Sequence, residues 1–133
     1  MQAPIAFAQA LADETRWRII HLVFEEALCV CELADVLELP QSTLSSHLKV
    51  IQRAELLACE RRGKWMFYQV KPAYRPLLET LFKHFASGAK SDPILARDAR
   101  QAKARLAARE ESCCPGPRAL APMSAKNDHS VTL

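Results

Sequence analysis

The stretch from Pro40 to Val70 constrains this chain most, because it calls for a helix followed at once by a hairpin. Proline is tolerated at a helix start but not inside one, so Pro40 marks a boundary. Wound at about 100° per residue, residues 41–53 divide into two arcs. Ser42, Ser45, Ser46, Lys49, Gln52 and Arg53 fall on one, and Leu44, Leu48, Val50, Ile51 and Ala54 fall on the other with Thr43 and His47. The polar arc consists of hydroxyls, an amide and cations, with no acid until Glu55. Ordinary solvent faces mix both signs, whereas a face of Ser, Gln, Lys and Arg suits a groove, where it can donate to phosphates and reach base edges. Residues 57–61 and 65–70 then read as two strands rich in aromatic and β-branched side chains, joined by the tight turn Arg62-Gly63-Lys64. A basic β-hairpin is expected, with a tip able to follow a phosphate backbone or enter a minor groove.

Charge divides along the same boundary. Residues 1–40 carry two basic and seven acidic side chains, whereas residues 41–133 carry sixteen and eight. Between Gln41 and Arg75 seven basic residues face two acidic ones, a balance that supplies phosphate contacts and a salt-dependent affinity for DNA, although a solvated basic face gives the same count.

Upstream, residues 2–10 form a short apolar stretch that predicts a first helix. Asp13 offers an N-cap for a second, whose buried stripe is Trp17, Ile20, Val23 and Phe24. Residues 31–37 predict a short third helix with Leu33, Val36 and Leu37 inward. Downstream, residues 73–86 predict an amphipathic helix whose apolar face of Leu77, Leu78, Leu81, Phe82 and Phe85 is too broad for a lone surface helix and calls for a partner. After a break at Ser87-Gly88, Asp92-Pro93 reads as a fresh helix start. The helix from residue 94 to about 110 is alanine-rich and charged, with a thin stripe (Leu95, Ala99, Ala102, Leu106) that predicts fraying. The organisation expected is a DNA-binding and dimerisation domain over residues 1–90, a C-terminal helix over 91–111 and a flexible tail over 112–133.

Five cysteines, an odd number, accompany these elements, and the longest apolar stretch, from Ile19 through Phe24, is interrupted by His21 and too short to span a bilayer. A cytoplasmic protein with reduced thiols is expected, so close cysteines read as metal or redox groups rather than as a disulfide framework. Cys29 and Cys31 sit one residue apart just before the third helix, and Cys113 and Cys114 lie side by side near the tail. The bland readings are two small buried hydrophobes for the first pair, unused tail thiols for the second, and a buried core thiol for Cys59.

The order of helices, reader helix, hairpin and closing helix is that of a mainly α winged helix-turn-helix, and the residues resemble the ArsR/SmtB family of metalloregulatory repressors. Leu11-Ala12-Asp13-Glu14-Thr15-Arg16 resembles the family's second-helix entry, Gln41-Ser42-Thr43-Leu44-Ser45-Ser46-His47-Leu48 its recognition helix, and Arg61-Arg62-Gly63-Lys64 with Tyr68 its wing. The likeness covers about residues 5–87. It implies a homodimer, paired through the first helix and residues 73–86 with Leu77, Leu81 and Phe85 at the interface. It also implies binding to double-stranded operator DNA through Gln41, Ser42, Ser45, Ser46, Lys49, Arg53, Arg61, Arg62 and Lys64, and release by an inducer.

Cys29-Val30-Cys31 resembles the inducer site of arsenic- and antimony-responsive members and of cadmium- and lead-responsive ones. The latter add N-terminal cysteines, and residues 1–28 contain none. Zinc-type members use carboxylates and histidines on the dimer helix, where His84 stands without a second histidine. Trivalent arsenic seeks three sulfurs, and the position that commonly carries the third is Ala34 here, so Cys113 or Cys114 is the expected third ligand to As(III) or Sb(III). On a regular helix, residues i and i+2 point about 200° apart, so an ion shared by Cys29 and Cys31 is expected to unwind or tilt the start of the third helix. A cadmium- or lead-responsive or thiol-redox repressor of the same fold is the alternative. A small thiol enzyme is less consistent, because no phosphate-cradling loop, HExxH site, nucleophile elbow or Cys-x-x-Cys is present. No constitutive cofactor, no membrane partner and no catalytic residue are expected.

Overall fold

A computed structural model describes residues 1–86, 92–109 and 116–120. Helix α1 (Gln2–Leu11) leads into α2 (Glu14–Glu25), whose cap is Asp13: its carboxylate accepts from the Arg16 amide at 3.1 Å, satisfying one of the helix's orphan donors. A short strand β1 (Leu28–Cys29) turns directly into α3 (Val30–Leu37), which stops at Glu38 in the left-handed region, and α4 (Gln41–Arg53) follows from the Pro40 cap. Strands β2 (Leu57–Arg62) and β3 (Trp65–Val70) are joined through Gly63, whose φ of 62° suits a residue without a Cβ. A 3₁₀ turn (Pro72–Tyr74) opens α5 (Arg75–Ala86), and α6 (Pro93–Ala107) is capped by Asp92, whose Oδ1 accepts from the Ile94 and Leu95 amides.

The reader helix and the hairpin thus form as the sequence predicts, but the hairpin is part of a three-stranded antiparallel sheet in the order β1-β3-β2. Leu28 pairs with Tyr68 and Cys29 with Phe67. Two residues leave too little periodicity to register as a strand in sequence. Their pairing also corrects the expectation for the cysteines: Cys29 is the extended N-cap of α3 (φ −91°, ψ 167°), not a helical residue, so the rule of opposite faces at i and i+2 does not govern this pair.

Among the described residues the main core lies under α2, α3, α4 and the sheet, with Ile19, Ile20, Leu28, Leu33, Leu44, Leu48 and Ile51 fully buried, and a smaller buried cluster joins Cys29 to Phe67. The C-terminal helix α6, expected to fray, instead docks on α2 and α3 through charges. Arg18 holds Asp98 with two bonds of 2.8 and 2.9 Å, Arg105 reaches Asp35 at 2.9 Å, and Arg97 meets Glu38 at 3.1 Å. Just past the helix, Arg109 grips the fully buried Glu32 with two bonds of 2.8 Å. Bidentate guanidinium–carboxylate geometry satisfies both partners, which is what lets Asp98 and Glu32 be buried as charges. No helix among the described residues is long and apolar enough to cross a membrane.

Candidate nucleic-acid interface and thiol site

Helix α4 packs Leu44, Leu48 and Ile51 inward and leaves Gln41, Ser42, Ser46, Lys49 and Arg53 exposed, with Ser45 half-buried on the flank. Ser46 Oγ donates to the Ser42 carbonyl at 3.1 Å, so its lone pairs stay turned toward solvent. His47 sits at the other edge, where Nδ1 lies 3.2 Å from Arg16 Nη1, while the same guanidinium donates to the Gln9 carbonyl at 2.9 Å. One arginine therefore ties α1, α2 and α4 together and fixes the tilt of the reader helix. At the hairpin, Arg61 and Lys64 are exposed and the Lys64 ammonium lies 5.3 Å from the Trp65 ring.

Cys29 and Cys31 line one hollow of about 460 Å³. Val30 adds to the α3 side, and the other walls come from the two elements expected to meet DNA: Gln41 and Ser45 from the first two turns of α4, and Lys64, Trp65 and Met66 from the wing. The thiol pair is held by its own cap. Glu32 Oε1 accepts from the Cys29 amide at 3.1 Å while the Cys29 sulfur faces the Glu32 amide, a capping box with cysteine in the place of serine. The spacing Cys-x-x-Glu ahead of an apolar run is a sequence signal for this cap. The same Glu32 carboxylate is the one gripped by Arg109, which also donates to the Ala27 carbonyl at 2.9 Å, so the end of α6 and the cysteine cap share one ion.

A further contact had no sequence precedent. Residues 116–120, inside the segment read as tail, lie against the wing. Glu60 accepts three successive backbone amides, from Arg118, Ala119 and Leu120, at 2.6, 2.7 and 2.9 Å. The Arg118 bond chiefly, with those of Leu120 and Ala119, holds Glu60 below the usual carboxylate range. Arg62 Nη1 donates to the Gly116 carbonyl at 2.8 Å, and Leu120 packs on the Cys29–Phe67 pair beside Cys31 and Trp65. An acid in the middle of an otherwise basic hairpin was the available hint. Cys59, expected in the core, is exposed instead, with its sulfur 3.6 Å from Gln52 Nε2. The alternation of β2 turns it outward. Cys113 and Cys114 lie outside the described residues.

On α5, Leu78 is fully buried, whereas Leu77 is 46% and Phe85 69% exposed. Phe85 and the half-buried Leu81 border an apolar hollow of about 600 Å³ with Phe7, Ala8, Leu11 and Trp17. His84 is exposed, its ring edge-on to Phe85.

These elements define a winged helix-turn-helix. The pattern of the bacterial regulatory protein, arsR family, matches residues 13–58. Arsenic resistance transcriptional regulator ArsR1 of Pseudomonas putida is 40% identical over 81 residues, which are 60% of this chain and 62% of that protein. An uncharacterised HTH-type transcriptional regulator of Methanocaldococcus jannaschii is 36% identical over 63 residues, 47% of this chain and 71% of that protein. Among solved structures, HlyU from Vibrio cholerae superposes with a TM-score of 0.58 at 28% identity, covering 64% of this chain and 94% of that one. The chain belongs to the arsR family of bacterial regulatory proteins. Its fold and relatives are those of transcription regulators, not of enzymes. It matches about three fifths of the length of the first curated relatives.

Proposed function

We propose that this protein is a dimeric, operator-binding repressor whose release is triggered by As(III) or Sb(III) at Cys29 and Cys31, with a third thiolate from Cys113 or Cys114. The observation that carries the reading is the shared hollow: the thiol pair borders the first two turns of α4 and the wing. Soft thiolates select thiophilic ions, and the chemistry balances as three thiol protons leaving with three arsenic-bound hydroxides as water. Leu120, six residues beyond Cys114 in the sequence, packs on the Cys29–Phe67 pair beside Cys31.

In this reading Gln41, Ser42, Ser45, Ser46, Lys49 and Arg53 meet the groove, and Arg61, Arg62 and Lys64 meet the backbone. Two subunits pair through α1 and α5, where Leu77, Leu81 and Phe85 leave an apolar face that a second copy would cover. An ion drawn to Cys29 pulls on the α3 cap and on the wall formed by Gln41 and Ser45. A small shift there moves the two readers of a dimer out of register with successive grooves.

The test is anisotropy of a labelled duplex from the region upstream of the protein's own gene, titrated with arsenite, antimonite, Cd(II), Pb(II), Zn(II) and peroxide. Arsenite and antimonite release the wild type. Cys29→Ser and Cys31→Ser bind DNA as wild type does but no longer respond, and Cys113→Ser with Cys114→Ser responds only at higher arsenite. Release by Cd(II), Pb(II) or peroxide alone moves the reading to the alternative inducers.

A further inference from the structure

The hairpin read as a DNA wing already holds a partner, the chain's own residues 116–120. Along a strand, alternate residues share a face, so Glu60 and Arg62 of β2 stand side by side. Arg62 Nη1 donates to the Gly116 carbonyl at 2.8 Å, and Glu60 accepts the amides of Arg118, Ala119 and Leu120 at 2.6, 2.7 and 2.9 Å. The cation takes an acceptor and the acid takes donors, so the segment matches this face in polarity. Gly116 sets how closely it fits. It is buried at a φ of 87°, and a Cβ there would stand 2.9 Å from Arg109 Cδ and 3.1 Å from Arg109 Nη1. Arg109 has little room to give, because its bonds to Glu32 and the Ala27 carbonyl hold it in place. At the other end, Leu120 packs on the Cys29–Phe67 pair. Polar pairing, a position that suits only glycine and an apolar anchor together make a specific seat.

We propose that the Glu60–Arg62 face of the wing is a docking surface with two mutually exclusive partners, residues 116–120 in the free protein and a DNA phosphate in the complex. The proposal rests on the reading of Arg62 as a contact to the operator backbone and adds a competitor for it. The Gly116 carbonyl takes the place at Arg62 Nη1 that a phosphate oxygen would take, and the chain carrying that carbonyl covers the same face. The seat is reversible. The bonds from Arg118 and Ala119 to Glu60 are made at the surface, where water offers the same partners and each bond adds little net. A duplex gives Arg62 a full negative charge and releases a counterion, which a neutral carbonyl does not. The segment therefore yields to DNA, and its cost to affinity is set by the fraction of molecules in which it is seated.

The experiment uses the full chain, with hydrogen exchange of the Arg118, Ala119 and Leu120 amides and anisotropy of the labelled upstream duplex as readouts. The variants are Gly116→Ala, which meets Arg109, and Leu120→Ala, which removes the anchor; neither changes the charge of the protein. In the free wild type the three amides are protected, and they exchange about tenfold faster or more once duplex saturates the protein. Gly116→Ala tightens DNA binding by about tenfold and Leu120→Ala by about threefold, the gain expected when a seated competitor is removed. Arg62→Ala then costs more affinity in the Gly116→Ala background than in the wild type, because only in the wild type does it also loosen the competitor. Amides that are unprotected in the free protein, or that keep their protection on saturating DNA, overturn the proposal. So does unchanged or weakened DNA binding in both variants, which would mean that the segment is neutral or supports the wing. In each of these cases a wild type that binds the duplex leaves the operator-binding reading standing. If no form binds the duplex, that reading falls and this inference with it.

Discussion

Helices α4 and α6 are both amphipathic and both dock on α3, yet different forces hold them. In α4 the inward residues Leu44, Leu48 and Ile51 are each no more than 1% exposed, and the polar ties of the helix body run only along its edge, from His47 to Arg16 and Asp13. In α6 the one fully inward apolar side chain is the small Ala102, and the deepest residue is Asp98, paired to Arg18. Apolar burial is non-directional and tolerates small shifts, whereas a bidentate ion pair holds only in one geometry and weakens as water enters. The reader is therefore built into the core, and the C-terminal arm is latched onto it. The thiol pair lies where a rigid helix and a releasable arm meet, at Glu32.

The largest effect should come from breaking the apolar side of this comparison. Leu48→Ala removes a side chain that is 1% exposed and leaves a cavity in a core with little freedom to collapse, at a cost of about 2–5 kcal/mol. Urea denaturation followed by far-UV circular dichroism measures it. A loss under about 1 kcal/mol would mean that α4 is not held by its buried stripe.

The ionic side should yield less, and locally. Glu32→Gln keeps the size of the side chain and a partner for the Cys29 amide, but breaks the bidentate pair with Arg109 and the longer contact with Arg105, which keeps Asp35. Because both guanidiniums keep some water, the cost falls below that of a dry pair, at about 2–3 kcal/mol. Hydrogen exchange should then quicken in α6 and in the amides of residues 118–120 while α4 keeps its protection. If α4 exchanges as fast as α6, reader and arm form one cooperative unit and the comparison fails.

What the sequence made legible divides in the same way. Helix α4 was readable to its ends because Pro40, a repeating apolar stripe and an acid-free polar arc are all local signals, and Gly63 marked the hairpin for the same reason. The arm's anchors were not readable. Arg18 and Asp98 lie 80 residues apart, and Arg109 and Glu32 77 apart, and no periodicity links such partners. Strand β1 was hidden by its length, and its pairing leaves Cys29 extended as the cap of α3, which takes the cysteine pair out of the helical rule. Of the candidate site, the closeness of Cys29 and Cys31 was visible as spacing. That the pair shares a hollow with Gln41, Ser45 and Lys64 follows only from the folding of the wing back against α3.

The smallest effect sharpens the comparison at the seam between the two regions. His21 stands on α2, stacked on Phe82 of α5 at 3.8 Å and edge-on to Trp17 at 4.8 Å, and its buried Nε2 has no hydrogen-bond partner among the described residues. Burial lowers its pKa to about 4 from 6.5, against the opposing pull of Asp92 and Asp98. The unfolded chain takes up the proton near 6.5, and the folded chain does so only near 4. Stability from the neutral ring is therefore complete above pH 6.5 and is lost as pH falls toward 4. Discounted for the part of the ring that water still reaches, the loss is about 1–2 kcal/mol. His21→Leu keeps the apolar contacts and removes the proton, so the difference between wild type and variant in urea at pH 7.5, 6 and 5 isolates this group from the carboxylates. A constant difference across that range would mean that the ring is as well solvated when folded as when unfolded. A difference that grows on acidification, with exchange rising first in α5 and α6, would show that the seam opens before the reader does.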